Sequence, residues 1–134
     1  MLSITSILFS KSIYKSVSID KVTSVYDGDT FHVDIKNYPA IIGKNIAIRV
    51  KGVDTPEIRG KCKQEKELAL KAKQFTKQFL LNAKSIKLKN LQRGKYFKIL
   101  ADVYDGKVSL SKSLIDANLG IVYNGGHKYK DWCK

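Results

Sequence analysis

The sequence contains no apolar run approaching the roughly 20 residues that cross a bilayer, which excludes a transmembrane helix. Histidine and cysteine are scarce, with two of each. His32 and His127 stand isolated and read as surface or half-buried side chains. Nothing resembling a zinc-ligand spacing surrounds Cys62 or Cys133, which leaves one disulfide, two free thiols, or half of a metal site whose other ligands are not visible. There is no low-complexity linker, internal repeat or shift in composition, and 134 residues suit a single domain. Acidic residues are also in short supply, with 12 Asp and Glu against 25 Lys and Arg, a formal charge of +13. Such a field attracts polyanions, so nucleic acid is the first partner to consider, beside a basic surface kept for solubility or loose membrane attraction.

Residues 1–18 form an amino-terminal arm or an extra first strand. Their apolar part, Leu2 to Phe9, resembles a piece of a signal-peptide core but lacks a basic leading region and a small-residue cleavage site. The remainder, residues 19–134, reads as one domain. Residues 21–26 mix β-branched and aromatic side chains and run through the turn signal Asp27-Gly28-Asp29 into an alternating stretch, Thr30 to Ile35, predicting a β-hairpin. A loop around Asn37, Pro39 and Gly43 precedes a third strand with Ile46, Ile48 and Val50 on one face and Arg49 on the other.

From residue 64 to 83 the period becomes helical, with Leu68, Ala72, Phe75, Phe79 and Ala83 on one side and Lys66, Lys73 and Lys77 on the opposite, solvated side. Strands follow over residues 85–89 and 97–104. A second helix starts at Ser109 and ends where Asn118 or Gly120 supplies a left-handed residue. Three strands, a helix, two strands and a helix suit a small, mainly β, α+β barrel.

The chemistry concentrates where the third strand gives way to a loop: Arg49, Asp54, Thr55-Pro56 and Glu57 fall within nine positions. Pro56 fixes its own φ and biases Thr55 toward extended backbone, holding the flanking carboxylates and the Thr55 carbonyl in a defined arrangement. Oxygen donors of this kind suit a hard cation such as calcium, with Asp29 able to supply a second carboxylate beside Asp54.

Asp27-Gly-Asp-Thr30 followed by Arg49 and Val53-Asp-Thr-Pro-Glu57 resembles the thermonuclease (staphylococcal nuclease-like, micrococcal nuclease) family. The likeness continues through the Phe75-Thr76-Lys77 helix, the strand from Tyr96 to Ala101 and the helix carrying Leu114 and Ile115, and covers about residues 19 to 123. The resemblance implies a five-stranded OB-fold barrel with two or three helices, and a calcium-dependent nuclease hydrolysing DNA or RNA with broad specificity. It further implies that Asp29, Asp54 and the Thr55 carbonyl hold Ca2+, that Glu57 is the general base or orients the attacking water, and that Arg49 grips the phosphate. Lys95, Tyr96 and Tyr123 match substrate-side positions, and Asp27 is an outer group or a turn residue.

One departure stands out. The family's second arginine, at the end of a Lys-Tyr-Gly-Arg motif, is replaced in Lys95-Tyr96-Phe97-Lys98 by Lys98, which keeps the charge but loses the planar fork. A non-catalytic module for single-stranded nucleic acid, using Lys95, Tyr96, Lys98 and Tyr123, is the alternative. Against it, Asp54 and Glu57 would repel a strand that is only to be held. The expected partner is single-stranded DNA or RNA, with no stable protein partner and a monomeric chain. A secreted or periplasmic location is favoured.

Overall fold

A computed structural model describes residues 13–134; the apolar part of the expected arm lies outside the described residues. The strands are β1 (Val17–Asp27), β2 (Thr30–Ile35), β3 (Ile46–Val50), β4 (Gly52–Asp54), β5 (Ile86–Arg93), β6 (Ile99–Asp105), β7 (Val108–Ser109) and β8 (Ile121–Tyr123). The helices are α1 (Ala40–Gly43), α2 (Lys63–Asn82) and α3 (Leu110–Asp116). The principal sheet runs β3-β2-β1-β5-β6, and parallel pairing of β3 with β6 closes it into a five-stranded mixed barrel. Closure removes the open strand edges that would otherwise invite aggregation.

Alternation fills the interior. Phe31 and Val33 of β2, Ile48 and Val50 of β3, Leu88 of β5, and Ala101 and Val103 of β6 are all essentially inaccessible to solvent. Three register shifts along β1 against β2 let this long strand coil around the barrel. A small second sheet, β4 with β8, joins the end of the Arg49 strand to the carboxy-terminal region.

Two local expectations are corrected and a third is refined. The expected face of α2 does pack on the barrel, with Ala72 buried and Phe75, Phe79 and Ala83 half-buried against the core, but its most buried line is Glu65, Ala69, Ala72, Thr76 and Leu80. Small residues at the centre let the helix approach the barrel closely, and the Thr76 hydroxyl donates to the Gly28 carbonyl at 2.6 Å. Residues 95–97 are a short 3-10 turn instead of the start of a strand. Gly94 N–H donates to the Lys98 carbonyl at 2.7 Å, and Tyr96 and Phe97 both have positive φ, so their aromatic rings stand outside. The loop before β3 holds the short helix α1, which no periodicity announced. In α3, Ser109 caps through its hydroxyl, which accepts from Lys112 N–H at 3.2 Å, and Asn118 takes the left-handed position at φ 60°. Gly120 serves a different need, since a Cβ there would lie 2.5 Å from Val53 Cγ2.

Candidate active site

The first turn of the barrel and the end of its third strand meet at one end of the sheet. Thr30 opens β2 and pairs directly with Arg49, near the end of antiparallel β3, and Val50 N–H donates to the Asp29 carbonyl at 2.9 Å. The Asp27-Gly28 turn is wedged against α2 and the β4 loop. A Cβ on Gly28 would lie 2.8 Å from Ala72 Cβ and 2.9 Å from Thr55 Cγ2, so only glycine fits. Side chains separated by tens of residues are thereby brought together.

Asp29 and Asp54 are both buried, at 5% and 4% exposure, and both face Arg49. Arg49 Nη1 lies 3.4 Å from Asp29 Oδ2 and Nη2 lies 3.6 Å from Asp54 Oδ1. The guanidinium is anchored by Nη1, which donates to the carbonyls of Val50 at 2.8 Å and Val53 at 2.9 Å. Nη2 and Nε stay available for a second anion. Asp29 accepts from Thr30 Oγ1 at 3.2 Å and from Thr55 N–H at 3.0 Å, which ties the hairpin turn to the Asp54–Pro56 loop. Glu57 lies beyond Pro56, with its side chain exposed to solvent.

The sequence reading missed two residues here. Glu65, in the first turn of α2, is buried, and its carboxylate accepts from Glu57 N–H at 3.2 Å and Lys61 N–H at 3.0 Å, setting the path of the loop that carries Glu57. Lys128, on the carboxy-terminal tail, brings Nζ to 2.8 Å from Asp54 Oδ1 and 3.5 Å from Glu57 Oε1. Its approach to Asp54 is an ion pair more than a directed hydrogen bond, because Asp54 Oδ1 has no partner of good hydrogen-bond geometry. Tyr123 supports this tail: its hydroxyl donates to the Gly126 carbonyl at 2.7 Å, and its ring lies 5.5 Å from Lys128 Nζ. Cys62 and Cys133 are joined in a disulfide, which resolves the three uses open to them.

Lys95, Tyr96 and Lys98 are not brought into this cluster. They sit at the exposed β5–β6 turn, with Lys98 on the lip of a separate cleft of about 480 Å³ whose walls include Tyr38, Ile41, Ile42 and Phe97. None of Asp29, Arg49, Asp54 or Glu57 lines that cleft.

Burial, then the neighbouring Asp29 charge, pushes the Asp27 carboxyl from 3.8 up to about 7. Burial likewise raises Asp54, against the opposing pull of Lys128. For Lys128, burial works to lower the ammonium, but the closeness and charge of Asp54, helped by Glu57, outweigh it and hold the group above its usual range. A carboxyl raised in the folded state binds a proton that the unfolded chain has already released. The stability contributed by such a carboxyl in the metal-free protein is therefore fully present at low pH and, for Asp27, falls away as pH rises from about 4 to 7, by up to about 1.4 kcal/mol per pH unit. This is opposite in sign to the contribution of Asp34, whose lowered carboxyl stabilises at higher pH. Asp27→Asn is expected to flatten that fall, measured as urea midpoints across pH 4.5 to 8 in EDTA.

All metal donors in the cluster are oxygens; the buried Thr55 Oγ1 lacks a hydrogen-bond partner, and Asp54 Oδ1 is met by the cations Lys128 and Arg49 without a well-directed hydrogen bond, as befits a place that attracts a hard cation. Among the described residues no group of three or more His, Cys, Asp or Glu side chains is preassembled as a metal cage. Any metal here would need backbone oxygen and water to complete its shell.

A closed five-stranded barrel, flanked by helices and carrying arginine-bound carboxylates at its mouth, is an OB-like α+β domain of the thermonuclease kind. The family model described as "Staphylococcal nuclease homologue" matches residues 47–131, and the chain belongs to that family. Arg49, Asp54, Glu57, Lys98, Tyr123 and Lys128 fall inside the match, while Asp29 precedes it. The chain is 29% identical over 160 residues to "Probable endonuclease LCL3" of Komagataella phaffii, covering 89% of this chain and 70% of that protein. It is 32% identical over 114 residues to "Thermonuclease" of Staphylococcus hyicus, covering 83% of this chain and 64% of that one.

Proposed function

We propose that the protein is a calcium-dependent nuclease that hydrolyses phosphodiester bonds of DNA or RNA with broad specificity. The observation carrying this reading is the convergence of Arg49, Asp29, Asp54 and Glu57 on one mouth of the barrel. Two relatives whose printed names are endonuclease and thermonuclease support it.

Attack of water on a phosphodiester loads negative charge onto the phosphoryl oxygens, so groups aimed there stabilise the transition state more than the ground state. Arg49 is built for this, because its anchored Nη1 fixes the guanidinium plane while Nη2 and Nε donate to two phosphate oxygens. Glu57 is exposed to solvent, where its carboxylate is placed to accept the proton of the attacking water. The hydrogen bond that its own N–H donates to the Glu65 carboxylate keeps its loop in place. Calcium, held by Asp29, Asp54 and the Thr55 carbonyl, would supply a further positive charge against the phosphoryl oxygens. Asp27, kept largely protonated below neutrality, adds little charge to the site. A barrel that grips backbone phosphates reads sugar and base poorly, which accounts for broad specificity.

A second reading has one observation in its favour. Lys128 and Arg49 together neutralise Asp54, so a strand could lie across the site without being cut. Incubating labelled single-stranded DNA with calcium, beside an EDTA control, separates the two. Fragments with calcium alone support the nuclease; intact, retarded DNA under both conditions supports the binding module. The Cys62–Cys133 bond favours work in an oxidising compartment, secreted or periplasmic.

With a formal charge of +13, binding of single strands is expected to weaken steeply as salt rises, because each neutralised phosphate releases counterions. Titrations by fluorescence anisotropy between low and physiological salt check this. A flat dependence would put the contacts elsewhere than on phosphate.

A further inference from the structure

The tail that follows β8 has no role in the mechanism above, yet it is held with unusual thoroughness for a chain terminus. At one end β8 pairs with β4, Tyr123 opposite Gly52 and Ile121 opposite Asp54. At the other end Trp132 is buried at 9% exposure and Cys133 is bonded to Cys62, the residue capping α2. Between these anchors the chain turns through Gly125 and Gly126, with φ of 96° and 82°, values that favour glycine. The segment so suspended delivers one side chain to the carboxylate cluster, Lys128. Its ammonium stands against the buried oxygen of Asp54 that lacks a directed partner, and against Glu57.

We propose that Lys128 is an internal cation seated where a divalent metal would meet Asp54, and that the disulfide-bound tail, by holding it there, sets how tightly the metal binds. This rests on the calcium reading of the same site. Asp54 Oδ1 already has Arg49 Nη2 at 3.6 Å and Lys128 Nζ at 2.8 Å, so a divalent cation arriving as a third positive group on this half-buried oxygen is repelled strongly unless one of the two leaves. Metal entry therefore displaces the ammonium, and affinity carries the cost of breaking its contacts with Asp54 and Glu57. Lys128 differs in this from Arg49, whose Nη1 is fixed by two carbonyls and which faces the cluster without needing to leave. Lys128 is thus a positioning residue of the site whose effect shows in metal affinity before any phosphate arrives.

The test is calorimetric titration of the disulfide-intact protein with calcium chloride alone, in the absence of nucleic acid. Lys128→Met is expected to bind calcium about tenfold more tightly, within the range typical of coupling between two binding events. Lys128→Arg, which keeps the cation, should stay near the parent. Lys130→Met removes the same formal charge from the same tail, but Lys130 lies over the Trp132 ring at 5.2 Å. It should change affinity far less, separating displacement from the general field. Removing the tether by Cys62→Ser with Cys133→Ser should tighten calcium in the parent and leave the Lys128→Met background unmoved. Calcium bound by the parent with equal affinity in Lys128→Met, or an equal change in Lys130→Met, overturns the inference while leaving the metal reading standing. A tether effect of equal size in both backgrounds overturns the part assigned to the tail. Absence of calcium binding in parent and variants alike overturns the metal reading and this inference with it.

Discussion

Arg49→Ala is expected to lower kcat for phosphodiester cleavage by about 10²–10³-fold or more, the loss that follows removal of a single preorganised donor to a developing oxyanion. Arg49 presents a planar fork, so the upper end is the better expectation. KM should rise less than kcat falls, because ground-state attraction of a polyanion draws on the whole charge of +13 and one residue is a small part of it. The variant also tests what Arg49 does without substrate. Its guanidinium stands between Asp29 and Asp54, so its loss leaves two buried carboxylates facing each other with less compensation. Calcium should then bind at least as tightly as before, as a cation is welcome where one has been removed, while cleavage collapses. Single-turnover cleavage at saturating calcium, together with a thermal melt to confirm folding, checks this. Turnover within about tenfold of the parent in a folded, calcium-loaded variant would remove Arg49 from the chemistry. Arg49→Lys should recover little, because an ammonium cannot donate to two phosphoryl oxygens while also holding the Val50 and Val53 carbonyls.

What could be read from sequence follows the distance over which each feature is encoded. Asp27-Gly28-Asp29 and the run from Arg49 to Glu57 are local: a turn signal and strand alternation put their side chains on a known face, and the structure joins them through one antiparallel pairing, Thr30 with Arg49. Glu65 was hidden among the many charges of α2, where a carboxylate near a helix start is ordinary. Its burial follows from the loop's need for acceptors, and from Gly60, whose missing Cβ leaves room for the Glu65 side chain. Lys128 was one of many lysines, and nothing local distinguishes it. The signal available was the cysteine pair, since a bond from Cys62 to Cys133 brings the tail back to the loop after Glu57, but composition left that bond one use among three.

The β5–β6 turn failed for the opposite reason. Tyr96 and Phe97 are strong strand formers, and local propensity pointed to a strand where Gly94 and the closing bond to Lys98 impose a turn. The consequence falls on Lys98. The departure from the family's arginine sits at a cleft that does not include the carboxylate cluster, whereas Lys128, from a different part of the chain, is the lysine that reaches it.

Removing the disulfide by Cys62→Ser with Cys133→Ser is expected to cost about 4 kcal/mol of stability, from the chain entropy released by opening so long a loop. The cysteines are 71 positions apart, and the bond spans α2, the second half of the barrel, α3 and β8. For a domain of this size that loss translates into a fall in melting temperature of roughly 10–20 °C. It is a large share of the 5–15 kcal/mol typical of a folded domain, yet the barrel core itself lies elsewhere, on Phe31, Ile48, Leu88 and Val103, and should survive near room temperature. The loss should be unevenly spread. Trp132 owes its burial to the bonded tail, so its fluorescence should shift toward that of an exposed indole before the barrel melts, giving two transitions where the parent shows one. The hydrogen bonds from Glu57 and Lys61 to Glu65 do not pass through the disulfide, so the loop bearing Glu57 should keep its place. Thermal melts followed in parallel by far-ultraviolet circular dichroism and by tryptophan emission check both parts. A single transition within about 3 °C of the parent would show that strain in the bond, or residual structure in the reduced unfolded chain, cancels the entropy term.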